Sequence, residues 1–133
     1  MDQVSGLQAV RTLDYTVLLC ENIERMREFY AEVLGLVVRR EVRGRYVEFE
    51  AGAVVLALRL RSRSYDGPAN GRARASVHLG FRVPPGEVAV AEEQLAARGI
   101  ELLEPVQDLA DFGHRVLFFG DPENNVVEIY AEI

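Results

Sequence analysis

The chain holds a single cysteine, Cys20, so no internal disulfide can form. A reducing compartment suits such a chain, and a lone thiol in an apolar run reads as core packing rather than as a nucleophile. Long hydrophobic runs are missing as well. None approaches membrane-spanning length, and the opening MDQVSGLQAV has neither the basic nor the apolar region of a secretion signal. Basic charge is in deficit, with 15 Lys+Arg against 21 Asp+Glu and a formal net charge of −6. That balance argues against nucleic acid as a partner. Together these absences predict a soluble, cytoplasmic protein with neither a membrane nor a nucleic-acid partner.

What is present is an ordinary globular composition, 49% hydrophobic and 27% charged over 133 residues, enough for one domain with a real core. TLDYTVLLC reads as a strand. NIERMREFYAEVLG follows with apolar residues at Ile23, Met26, Phe29, Tyr30, Val33 and Leu34, a helical spacing, with Asn22 as N-cap and Gly35 as the left-handed residue past its end. LVVRREV, RYVEFEA and AVVLALRL read as three more strands with glycines at the turns, giving β-α-β-β-β. The stretch SRSYDGPANGRAR has no periodicity and reads as linker. The same order then returns: ASVHLGFRV, a Pro-initiated helix in PPGEVAVAEEQLAARG, IELLE as a short strand stopped by Pro105, and HRVLFFG and NVVEIYAEI joined by the turn DPEN. Tyr15 and His78 correspond when the opening strands are overlaid. The chain is therefore one α+β domain of two βαβββ modules, about 10–62 and 75–133, joined by a linker of about 63–74 and sharing a core.

Period-two alternation sets the faces. In SVHLGFRV, Val77, Leu79, Phe81 and Val83 share one face, which the helices are expected to cover, and His78, Gly80 and Arg82 share the other. In the last strand Glu128 and Tyr130 fall on the same inner face as His78. An imidazole and a carboxylate there can be two ligands of a divalent metal, or an acid and a base; a usable metal site normally wants three or four protein ligands. Overlaying GAVVLAL on NNVVEIY sets Leu56 opposite Glu128, and Tyr15 stands opposite His78. The expected pocket wall is Val17, Leu19, Leu56 and Leu58 from the first module with Arg82 and Tyr130 from the second, apolar on one side and polar on the other. His114 reads as a rim residue. Arg59, Arg61, Arg63, Arg72 and Arg74 flank the linker and read as solvated charge, with anion binding as the alternative.

The paired modules, NIERMREFYAEVLGL after the first strand, VHLGFRV opening the second module and GHRVLFFGDPENNVVEIY closing it resemble the vicinal oxygen chelate superfamily, which includes glyoxalase I, fosfomycin-resistance thiol transferases, extradiol dioxygenases and bleomycin-binding proteins. The resemblance covers residues 11–133. It implies curved mixed sheets around a central pocket, metal ligands at Tyr15, Leu56, His78 and Glu128, and a homodimer. Only His78 and Glu128 match ligating types, so the four-ligand pattern fails at two positions and a His, His, Glu pattern fails at Tyr15. Asn124 stands where the family turn usually has glycine and is the next-best residue for a left-handed conformation. The first expectation is thus a protein that binds a small organic molecule in the pocket, with a resistance or sequestration role and His78 and Glu128 as anchors. The alternatives are a lyase, isomerase or dioxygenase holding Mn, Fe, Ni, Co or Zn through His78 and Glu128, with Tyr15 or substrate oxygens completing the shell, and a metal-free enzyme with Glu128 as base and His78 as acid.

Overall fold

The structure is a computed structural model that describes residues 5–71 and 75–133. An exposed 3-10 turn at Gly6–Ala9 precedes β1 (Tyr15–Cys20), α1 (Ile23–Glu28), β2 (Val37–Val42), β3 (Tyr46–Ala51) and β4 (Val54–Leu60). The order recurs as β5 (His78–Arg82), α2 (Glu87–Ala97), β6 (Leu102–Leu109), β7 (His114–Gly120) and β8 (Val126–Glu132). These strands make two four-stranded sheets, ordered β1-β4-β3-β2 and β5-β8-β7-β6. In each, the opening strand runs parallel to the last strand of its module and the other pairings are antiparallel. The paired βαβββ modules and the α+β class are as the repeat predicts.

Local chemistry explains the element ends. The Asn22 side chain accepts the Arg25 backbone N–H at 3.1 Å and caps α1. The helix then widens into a π turn over Phe29–Val33, which lets Phe29 and Tyr30 both turn inward beside Ile23 and Met26. Gly35, at φ 68°, closes it. Two boundaries differ from expectation. Pro84 and Pro85 lie ahead of α2, which starts after the left-handed Gly86 (φ 91°), so proline precedes the helix instead of initiating it. The strand after α2 does not stop at Pro105 but runs to Leu109, because β6 is an edge strand and its register against β7 shifts between Glu104 and Gln107. A proline without an N–H is tolerated at such an irregular edge.

One core serves both modules. Leu18, Cys20, Val47, Phe49, Leu56 and Leu58 come from the first sheet, and Leu117, Phe119, Val127, Ile129 and Ala131 from the second. Leu79 and Phe81 pack against that cluster on the face that the helices cover. Phe29 of the first module stands 6.0 Å, ring centre to ring centre, from Phe119 of the second. The Tyr30 hydroxyl donates to Asp121 Oδ2 at 2.7 Å, a buried bond that joins the modules. Asp121 also accepts from the Asn125 side chain at 2.8 Å and from the backbone N–H groups of Glu123 and Asn125. That carboxylate holds the β7–β8 turn, in which Asn124 takes the expected left-handed conformation (φ 66°). The turn in turn presents the Glu123 carboxylate to the backbone N–H groups of Glu21 and Asn22, at the start of α1.

Tyr30→Phe leaves Asp121 buried with one donor fewer, and is expected to cost ~1–3 kcal/mol in denaturant unfolding without changing the folded spectrum. Burial, then the charges of Glu123 and Asp121, push the Cys20 thiol up to about 12. Alkylation of the native protein at neutral to mildly alkaline pH is therefore expected to run at least ~100-fold slower than in denaturant. Comparable rates in the two states would mean that Cys20 is not packed in the core.

Candidate functional site on the inner face

The site follows from strand register. Gly80 pairs with Glu128 and Arg82 with Tyr130, while Phe118 of β7 lies across from Glu128 on its other side. The Glu128 carboxylate lies over Gly80, where a Cβ would meet Oε1 at an ordinary contact distance of 3.7 Å, and leans along β5. It leans to His78, whose Nε2 lies 2.7 Å from Glu128 Oε1. The ring of Phe118 stands edge-on to His78 at 5.7 Å and supports it. The Glu128 side chain is 16% exposed and that of His78 54%, so the acid is set into the sheet and the base stands at the surface. The two side chains that the sequence sets on one face are thus in contact.

Further along β8, Tyr130 carries the His114 ring stacked at 4.3 Å, with Phe112 stacked on His114 at 6.1 Å. His114, half-buried at the start of β7, is thus part of an aromatic row on the inner face. Arg82 lies on that face as expected, bonded to Glu132 at 2.5 Å.

The first sheet departs from the sequence-derived wall. Tyr15 pairs with Val55, Val17 with Ala57 and Leu19 with Arg59, so Val17 and Leu19 share the inner face with Tyr15. Leu56 and Leu58 do not. Leu56 is 4% exposed and Leu58 fully buried, in the core beside Leu18. The repeat overlay was one residue out of register at this strand, and one residue is enough to reverse a face. The residue that occupies the Glu128 position of the first module is Ala57, since Val17 relates to Tyr15 as Gly80 does to His78.

The polar group of the first module sits one strand over. Glu48, only 8% exposed, pairs with Ala57 and accepts a hydrogen bond from the Tyr46 hydroxyl at 2.5 Å. A register irregularity between Val38 and Arg40 lets both Arg39 and Arg40 approach it, at 3.7 and 3.9 Å. Burial, followed by the hydrogen bond to Glu48, pushes the Tyr46 phenol up to about 12. RYVEFEA alternates Tyr46, Glu48 and Glu50 against Val47 and Phe49, so the signal for Glu48 was present in the sequence.

Tyr15 is not brought to His78 within one chain. A cleft of about 450 Å³ is lined by Thr16 from β1, by Val54, Val55 and the nearly buried Leu56 from β4, and by Leu79–Arg82 from β5. The other end of β1, at Glu21, meets the β7–β8 turn. Tyr15 thus lies toward the Arg82 end of β5, and four residues of strand separate Arg82 from His78, ~13 Å. His78 and Glu128 stand at a separation close to that of two adjacent ligands on one metal, ~3 Å for bonds of 2.0–2.2 Å. They are nevertheless two donors, and among the described residues no group of three His, Cys, Asp or Glu could hold a metal ion. Among the described residues the donor set does not complete a metal site.

A two-sheet chain of paired βαβββ modules, with an imidazole–carboxylate pair on the inner face, has the architecture of the glyoxalase-like proteins. The profile of the Glyoxalase-like domain matches residues 13–133, and the chain belongs to that family. An uncharacterised protein, YwkD of Bacillus subtilis (strain 168), is 29% identical over 133 residues, covering 92% of this chain and 98% of that one. Among solved structures, the lactoylglutathione lyase from Agrobacterium tumefaciens superposes with a TM-score of 0.75 at 22% identity, over 92% of this chain and 95% of that chain. A glyoxalase/bleomycin resistance protein/dioxygenase from Nocardioides gives 0.73 at 26% identity, over 94% and 85%. Among the described residues, no helix is long and apolar enough to cross a membrane.

The placement of Leu56 is checked by stability. Leu56→Ala, which opens a core cavity, is expected to cost ~2–4 kcal/mol in denaturant unfolding, and Val17→Ala on the half-open inner face less than ~1.5 kcal/mol. Equal costs would put Leu56 back on the inner face.

Proposed function

We propose that this chain binds a small organic molecule on the inner face of its second sheet, in a sequestration or resistance role, with Glu128 and His78 as polar anchors. The observation that carries this reading is the 2.7 Å His78–Glu128 pair itself. A carboxylate 16% exposed beside an open imidazole offers an acceptor and a switchable donor to a ligand hydroxyl or amide. Val126 and Phe118 supply apolar surface beside it, and the Tyr130–His114 stack a flat wall further on. Tyr15 and His78 are both more than half exposed, so a second copy of the chain closing over this face fits the reading, and a cytoplasmic homodimer is part of it.

A second reading is supported by the same 2.7 Å, the spacing of two adjacent metal ligands. Members of the glyoxalase-like family commonly bind a divalent metal. Here a lyase, isomerase or dioxygenase reaction would need donors from outside this chain's described residues to complete the shell.

The two readings part on metal titration. In chelator-treated protein, calorimetry with Mn, Fe, Ni, Co and Zn is expected to find no 1:1 site tighter than ~10 μM, while a thermal-shift screen of small aromatic and hydroxylated compounds gives hits that His78→Ala and Glu128→Gln weaken at least ~10-fold. A stoichiometric metal lost in both variants would replace the binding reading with the metal-dependent one.

A further inference from the structure

Every one of the fifteen cationic side chains in this sequence is arginine. Three of them converge at one end of the first sheet, where a cavity of about 250 Å³ is lined by Val42, Arg45, Tyr46, Arg59, Leu60, Ser62 and Arg63. Strand pairing explains the convergence. Tyr46 and Arg59 face one another across β3 and β4, on the inner face, and the Leu60 N–H donates to the Arg45 carbonyl at 2.9 Å, which draws the β2–β3 turn onto the end of β4. The chain beyond β4 then folds back and brings Ser62 and Arg63 over the same opening.

One carboxylate, Asp66, organises this end. It takes a two-pronged bond from Arg59, at 2.7 and 3.0 Å, and accepts the backbone N–H groups of Ser62 and Arg63 at 3.0 and 2.9 Å. The Arg59 fork and these backbone bonds hold its carboxyl below the usual carboxylate range. Its side chain is 4% exposed and that of Arg59 17%, so the pair is set in place. Asp66 therefore neutralises Arg59 and positions Ser62 and Arg63, with little accepting capacity left over. Arg63 bonds only the neutral Tyr65 hydroxyl, at 2.8 Å, and Arg45 has no carboxylate partner among the described residues. Glu48, the next acid along the face, is shared by Tyr46, Arg39 and Arg40. Three guanidiniums thus surround one concavity against one carboxylate, in a chain whose formal charge is −6. Concave walls of one sign concentrate the field inside them.

We propose that this cavity is an anion site and that its ligand is the phosphate group of a small phosphate monoester. Guanidinium forks match phosphate oxygens two at a time, Ser62 adds a hydroxyl donor at the rim, and Arg59 keeps three N–H donors beyond those given to Asp66. The volume suits a phosphoryl group and the first atoms of its ester, not a whole nucleotide. The site is separate from the His78–Glu128 pair and stands whether or not that pair binds a ligand. Arg72 and Arg74, which the sequence groups with these arginines, lie outside the described residues.

The test is calorimetric titration of the intact protein with inorganic phosphate and with phenyl phosphate, in a phosphate-free buffer at ~25 mM and again at ~200 mM salt. Saturable 1:1 binding is expected, with phenyl phosphate at least as tight as inorganic phosphate and both weaker at the higher salt. In the Arg45→Ser/Arg63→Ser variant the affinity is expected to fall at least ~10-fold, and Arg→Lys at both positions to restore part of it. Both arginines are exposed, so the melting temperature serves as the control for folding, and Ser62→Ala gives a second, milder probe of the same cavity. Absence of saturable binding at ~20 mM ligand, or unchanged affinity in the serine variant, overturns the site. Phenyl phosphate weaker than inorganic phosphate overturns the monoester and leaves a site for free anions.

Discussion

The buried carboxylate of Asp121 is the point on which the two modules depend. It belongs to the second module by sequence, yet one of its oxygens receives the phenol of Tyr30 from the first, and the other receives two backbone N–H groups of its own turn. A carboxylate at 5% exposure is costly unless its lone pairs are filled, and here four donors fill them. The consequence reaches both ends of the site. The turn so held sets the start of β8, and with it the register that faces Gly80 with Glu128. It also delivers Glu123 to the N–H groups ahead of α1, so the first helix is seated by the second module's turn. The π turn at Phe29–Val33 belongs to the same arrangement, since it brings Tyr30 round to Asp121 while Phe29 meets Phe119.

The modules are copies in topology and not in chemistry. Each buries one face of its sheet in the common core and turns the other face outward as the inner surface. On that surface the second module keeps an imidazole and a carboxylate on neighbouring strands, whereas the first has Tyr15 and Ala57 at the matching places. Its acid, Glu48, has moved to β3, where a phenol and two guanidiniums surround it. The first module's inner face thus becomes a field of arginine and tyrosine, and the second's a patch of histidine, carboxylate and aromatic rings.

The legibility of these features from sequence varied with the length of pattern behind them. The helix of residues 23–34, its Asn22 cap and the left-handed Gly35 and Asn124 were readable because each rests on a local rule that neighbours within a few residues satisfy. His78 and Glu128 were readable because each lies in a strand with clean alternation. The stacking of His114 was not readable because nothing in its own strand says that Tyr130, sixteen residues on, will lie flat against it. Pro105 looked like a stop, and was not, because edge position is a property of the sheet.

The sequence by itself determined the order of elements, the two βαβββ modules and, within each strand, which residues share a face. Those follow from period-two and period-3.6 patterns, which need only the strand or helix in question. Tertiary structure alone decided how strands are offset from one another. The parity of β4 was plain, but its alignment with β1 was not, and an overlay one residue out turned Leu56 and Leu58 from core to pocket. It likewise decided that Arg45, Arg59 and Arg63, eighteen residues apart from first to last, would line one opening. The reason is physical: a side chain's face is set by its own backbone, while its company is set by pairing register, bulges and buried bonds such as that of Tyr30 to Asp121, which form only when distant segments meet.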